Sequence, residues 1–319
     1  MALIASSKLA LKRGAILAAA NWQVVVLQFV ADTVFTALLA VPVVGGAALV
    51  VLTSGLAPRA LLGQGVRRAI PAVAAALLAH PVALAAFLAA VLVVLLGGSL
   101  LVAFVKGGTI SVLAASEAGA PAVEQPPLHY AAVRSASRFS LETATAGAHR
   151  LFGRFARLGV GLFVAYLLIG IAALAVLVSP RGPATPWIAA RVAAVTLAVI
   201  AIVTLVNLVY LLLQIAVAVD DCDVSTAIAR VSGFVVRRPG EIGVVFGVIL
   251  TLVALGTAAS FLATAALGLV AFVPFVGLVA LPLQVGAWAI RGLVFQFLAL
   301  TALVAYVTLY RASRSAGGG

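Results

Sequence analysis

The chain alternates long apolar runs with short polar interruptions. The clearest interruption is the stretch Asp220–Glu241, DDCDVSTAIARVSGFVVRRPGE, which separates two runs that are each long enough to cross a bilayer, since about 20 apolar residues suffice. Applied along the whole chain, the same criterion predicts about six spans, at 22–52, 81–105, 159–178, 188–219, 242–267 and 281–310. Runs of this length must satisfy their backbone N–H and C=O groups internally. Their Ala, Leu and Val content without strict alternation favours helices over barrel strands. The expected architecture is therefore all-α: a polytopic integral membrane helical bundle, a single transmembrane domain over 1–319, with interfacial amphipathic helices.

Between the spans, residues 1–20 read as an interfacial lead-in carrying Lys8, Lys12 and Arg13, with Trp22 as a headgroup anchor. A signal peptide would start similarly, but Asn21, Gln23, Gln28 and Asp32 interrupt the apolar run that follows, so it is read as a retained helix. Pro42 and Gly45-Gly46 make the first span either one kinked crossing, the preferred reading, or a shallow hairpin. Residues 53–80, with Arg59, Arg67 and Arg68, suit a helix lying in the interface. Residues 119–158 form the longest polar stretch and are expected to be a basic cytoplasmic linker, in which Leu151, Phe152 and Phe155 interleave with Arg150, Arg154 and Arg157 as a basic amphipathic helix leading into the third span; 220–241 is expected to be a cytoplasmic hinge. Asn207, Tyr210 and Gln214 are expected to face neighbouring helices.

Composition agrees with this pattern. The 319 residues are 65% hydrophobic and 9% charged, against averages of about 45–50% and 25% for globular chains. The net charge of +12 would suit nucleic acid, but Lys and Arg lie beside apolar runs, where they set topology and meet anionic lipid headgroups; no nucleic-acid role is expected. With six crossings and the N-terminus inside, fourteen Lys and Arg fall inside and five outside, with Arg291 within a span. This favours cytoplasmic termini.

Few residues are candidates for chemistry. Asp32 and Arg291 fall well inside the first and last spans. An unpaired central charge costs about 2.5–3.5 kcal/mol on insertion scales, so the two form a candidate intramembrane polar pair, either as a buried ion pair or as part of a relay with Asn21, Gln28, Gln284 and Gln296. Asp220, Asp221, Asp223 and Ser225 stand before the hinge helix and are read as its cap, with Val224, Ile228 and Val231 facing the membrane. Arg150, Arg154, Arg157, Arg237 and Arg238 are candidate lipid-headgroup contacts. His80, His129 and His149 are scattered, and Cys222 is the single cysteine, so neither metal nor disulfide is expected. Gly243 and Gly247 make a GxxxG spacing. No phosphate loop, GxSxG or HExxH is present, and no catalytic residue or cofactor is assigned.

The acidic residue followed by DVSTAIARVSGFVVRRPGE, the C-terminal ALVAYVTLYRASR and the Gly107–Ala118 stretch GGTISVLAASEA together resemble a group of bacterial six-helix membrane proteins. That group includes the membrane domain attached to some glycerophosphodiester phosphodiesterases. The matching positions are the acidic residue before the short helix, Ala227 and Ser232 within it, and Tyr310-Arg311 at the end of the last span. The resemblance implies a fold and a bacterial inner-membrane location. With no phosphodiesterase sequence in these residues, it implies no enzymatic activity. The expected function is a non-catalytic scaffold or assembly partner, binding lipid and a membrane-protein partner or a second copy of itself. The alternative is a transporter or permease component that uses Asp32 and Arg291.

Overall fold

The computed structural model describes residues 2–54, 78–124, 130–178, 185–271 and 276–316. Among these residues the chain is helical throughout: α1 (Ala2–Ala20), α2 (Trp22–Ser54), α3 (Pro81–Gly119), α4 (Tyr130–Ser135), α5 (Leu141–Val178), α6 (Thr185–Asp220), α7 (Val224–Arg237), α8 (Pro239–Ala271) and α9 (Val276–Ala316). Six helices, α2, α3, α5, α6, α8 and α9, are long and apolar enough to cross a membrane. The protein is an all-α helical bundle of multi-pass membrane type. The expected interfacial helix at 53–80 lies almost wholly outside the described residues, as does His129.

The fold divides into two units, one of residues 30–102 and the other of residues 1–29 with 103–319. In the smaller unit α2 and α3 pack as an antiparallel pair, with the Phe87 ring against Gly46 and the Phe35 ring against Gly98. Pro42 sits inside α2 without ending it, so the first span is one continuous helix and the hairpin alternative fails. A proline removes one hydrogen bond from the ladder, a loss this helix absorbs.

In the larger unit α9 is the central helix, in contact with α1, α6 and α8. Its last turns, Leu300 to Tyr310, are almost wholly buried, and Tyr306 and Tyr310 are among the largest enclosed side chains. The N-terminal segment, expected as an interfacial lead-in, is a helix with one face packed into this unit. Ser7, Ala10, Gly14, Leu17 and Ala18 form one buried stripe along α1 at helical spacing, which Asn21 continues just past its end. That stripe docks on α9 so closely that a Cβ added at Gly14 would lie 2.5 Å from the Thr301 carbonyl oxygen. Small residues permit this approach.

The 119–158 linker is shorter than expected, because α5 begins at Leu141. Ser140 ends the linker as an N-cap: its Oγ accepts the Thr143 N–H at 3.0 Å. The first turns of α5 are then drawn into the core through Ala144, Ala148, Leu151, Phe155 and Leu158. Gly107 and Gly108 of α3 make that possible. A Cβ at Gly108 would lie 2.6 Å from the Ala144 carbonyl oxygen, and one at Gly147 would strike the Ser111 side chain. Gly243 and Gly247, by contrast, have no atom within 4 Å of where a Cβ would stand, so their GxxxG spacing serves no close helix contact among the described residues.

Gly108→Val should therefore destabilise the protein by roughly 1–3 kcal/mol through overpacking, whereas Gly243→Ala should be neutral or slightly stabilising. Thermal unfolding midpoints in one detergent check both; equal losses at the two sites would contradict the assigned crossing.

Candidate functional site

The ion-paired side chains of the larger unit gather at one end of it, where α3, α6 and α9 finish and α5 and α8 begin. Low dielectric forbids an isolated charge there, so each carboxylate draws in basic partners. Glu117, at the end of α3, is 8% exposed. It accepts Arg311 Nη1 from α9 at 2.7 Å, and Arg13 Nε of α1 lies 3.7 Å away. Arg13 also binds the Glu124 carboxylate at 2.8 Å and donates to the carbonyls of Glu117, Ala120 and Pro121. Lys12 Nζ donates to the Glu124 carbonyl at 2.6 Å. One guanidinium thus terminates the exposed carbonyls of a helix C-terminus as well as pairing with two acids.

The second centre is Asp220, the last residue of α6. Its carboxylate accepts the Tyr310 hydroxyl at 2.6 Å and Arg230 of α7 at 2.7 Å, with Arg314 at 3.8 Å. The hydrogen bond to Asp220 raises the Arg230 guanidinium further above its already high range. Asp221 takes a positive φ of 48°, an uncommon conformation that aspartate tolerates better than most residues, and its carboxylate meets Arg154 at 2.5 Å. Asp223 occupies the N-cap position of α7 with extended backbone, but its side chain makes no capping hydrogen bond; it stands 4.0 Å from Arg154 Nε. Asp223 thus holds the expected N-cap position without the capping bond, while Asp220 and Asp221 serve as ion-pair acceptors. Ser225 falls in the first turn of α7.

The hinge helix α7 is strongly amphipathic and buries Ala227, Val231 and Phe234 against the bundle. Val231 is turned inward, opposite to expectation, while Ile228 is exposed. Phe234 meets the Tyr310 ring edge-on at 5.4 Å. On the far side of the same end, Glu241 accepts the Ser6 hydroxyl at 3.2 Å and Arg238 at 3.0 Å. Asn21, fully buried between α1 and α2, donates to Ser116 at 3.0 Å and accepts the Arg138 N–H at 3.0 Å. Asn21 is thus a joint between helix ends, and Gln28 accepts from Thr109 at 3.3 Å.

Of the five candidate headgroup arginines, Arg154 and Arg238 are held in ion pairs, whereas Arg150, Arg157 and Arg237 are exposed. Asn207 faces a neighbour, accepting the Tyr166 hydroxyl at 2.7 Å, and Gln214 is buried. His149 makes an edge contact with Phe104 at 5.1 Å.

The intramembrane candidates occupy separate units. Asp32 is in α2, where its carbonyl accepts the Thr36 hydroxyl at 2.8 Å. Arg291 is in α9, its guanidinium 5.6 Å from the centre of the Phe295 ring. It lines a groove of about 780 Å³ between α8 and α9, with Ser260, Thr264, Gln284 and Trp288 also in the wall. Among the described residues no cluster of His, Cys, Asp and Glu is arranged to hold a metal ion.

Sequence reasoning missed Glu117, Glu124, Arg13 and Arg311. The available signal was scarcity: the chain has only eight acidic residues against twenty basic ones, so an acid at the end of a span is a strong attractor for arginine.

Two outcomes follow. Glu117→Ala leaves Arg13 and Arg311 without their shared carboxylate and should cost about 3 kcal/mol, read as a lowered unfolding midpoint; Tyr310→Phe should cost about 1 kcal/mol for its single hydrogen bond. Burial pushes the Cys222 thiol up, with Asp220 adding to the effect and Arg230 and Arg154 opposing it. A raised thiol pKa means less thiolate at neutral pH. Alkylation of Cys222 should be slower than that of a free cysteine at pH 8, and its rate should keep rising at pH values where the free thiol has levelled off.

Comparison with known proteins finds no matching family, no matching curated protein and no matching solved structure.

Proposed function

We propose that this chain is a non-catalytic scaffold or assembly partner in the bacterial inner membrane, with both termini cytoplasmic. The observation that carries the reading is the fate of the polar groups at the basic end. Glu117, Glu124, Asp220 and Glu241 are all engaged by arginines of the same chain; these pairs tie α3 to α9, α1 to the segment after α3, and α6 to α7, with Arg238–Glu241 local to the start of α8. A rigid end of this kind, with these carboxylates paired within the chain, suits presentation of a fixed surface. The excess of Lys and Arg at this end supports its cytoplasmic placement.

A second reading, a transporter or permease component, is favoured by the groove that Arg291 shares with Ser260, Thr264 and Gln284. An arginine on a wet path across the bilayer is a recurrent feature of substrate pathways, whereas a scaffold packs such a residue dry.

Native mass spectrometry of the protein released with its surrounding lipid tests the first reading. A stoichiometric increment from another polypeptide is expected, and a bare monomer would count against it. The second reading is checked in a Cys222→Ser background carrying Ser260→Cys: a membrane-impermeant thiol reagent should label that position only if water reaches the groove. Under the scaffold reading the position stays unlabelled, and proteoliposomes carrying Arg291→Gln or Asp32→Asn show no change in solute flux.

A further inference from the structure

Besides the ion pairs, the basic end holds an open cleft of about 530 Å³ between α7 and the C-terminal turns of α9. Its walls include Arg230, Gly233 and Arg237 of α7, and Tyr310, Ser313 and Arg314 of α9. Three guanidinium groups therefore face one space, against a single carboxylate, Asp220, at the edge of the cleft. That carboxylate is 9% exposed and already receives Tyr310 and Arg230. Arg237 is exposed and makes no ion pair or hydrogen bond among the described residues. Arg230 and Arg314 each retain N–H donors beyond those directed at Asp220, because a guanidinium carries five.

We propose that this cleft binds one phosphate-type anion, held by Arg230, Arg237 and Arg314; the Ser313 hydroxyl beside them is committed to the Tyr310 carbonyl at 2.7 Å. The planar fork of arginine matches phosphate oxygens in pairs, so converging guanidinium groups with an unspent positive balance select this class of ligand. Asp220 does not oppose it, since its charge is already neutralised by its own partners. Instead it holds Arg230 in place. The volume falls within the range of small-ligand sites, about 300–1,000 Å³, and exceeds a bare phosphate, which leaves room for the substituents of a phosphate ester. An anionic phospholipid headgroup and a free phosphate share this chemistry.

Gly233 provides the decisive control. It lines the cleft, and a Cβ at this position would meet no atom within 4 Å. Gly233→Leu therefore fills the space without removing a charge, and replacing a glycine inside a helix favours folding. Arg237→Ala removes the partner-free charge and leaves the ion-pair network intact.

The full chain is assembled in phosphatidylcholine nanodiscs with and without phosphatidylglycerol. Lipid adducts are counted by native mass spectrometry, and inorganic phosphate is titrated against chloride at constant ionic strength with the unfolding midpoint as readout. The wild type should take up one saturable equivalent, and both variants should weaken it by about tenfold or more. Saturable phosphatidylglycerol that free phosphate does not displace identifies a headgroup site; saturable phosphate in neutral discs identifies a free-anion site. Either result supports the proposal. It is overturned if neither probe saturates, or if Gly233→Leu binds as the wild type does, since diffuse attraction to a basic surface does not depend on the shape of the cleft. These results do not depend on whether a polypeptide partner exists.

Discussion

The larger unit depends on one constraint: a carboxylate moved out of water must be matched where it stands. Glu117 and Asp220 each lie at the end of a spanning helix, and each is matched by residues of α9 together with a second basic helix, α1 for the former and α7 for the latter. Desolvation makes such pairs weak as sources of net stability but severe as penalties when incomplete. Their contribution is therefore to specificity. Apolar helices slide and rotate against one another at little cost in lipid, because tails and side chains are equally apolar. Two matched charge centres sharing one helix remove that freedom.

Close backbone contact does the rest. The α1–α9 contact at Gly14 and the α3–α5 contact at Gly107, Gly108 and Gly147 bring main chains together where a larger residue would hold them apart. These contacts lie at the same end as the charge centres. Farther along, the flanks of α5 and α6 present Phe163, Leu167, Leu174, Leu197 and Leu205 outward, as a lipid-facing surface must. The bundle is tight and polar at one end and apolar along its length.

Six helices long and apolar enough to cross a membrane were legible in the sequence because length and hydropathy alone identify them, but hydropathy stopped short of the helix ends: α3 runs on to Gly119 and α5 starts at Leu141. The role of α1 was not legible. Its buried stripe, continued by Asn21, contains Ser7, Ala10 and Gly14; these register as polar or small in a hydropathy reading yet are what close packing requires. The amphipathic pattern of Arg150, Arg154 and Arg157 against Leu151 and Phe155 was legible as a helix, but not that this helix starts at Leu141 and runs unbroken into the span. The acidic run at 220–223 was recognised as important but given the wrong partner, since only the fold brings Arg154, Arg230 and Tyr310 to it. GxxxG at Gly243 matched a motif without a contact, which shows that spacing permits close approach but does not cause it.

Both charge centres receive essential partners from the last turns of α9, the last of the described helices to leave the ribosome. Until those turns are made, Glu117 and Asp220 lack their α9 partners. Closure of this end is therefore a late event that reports arrival of Tyr310, Arg311 and Arg314. Before that point Glu117 has only Arg13 and Asp220 only Arg230, so each acid is half matched and the helix ends beside it are loosely held.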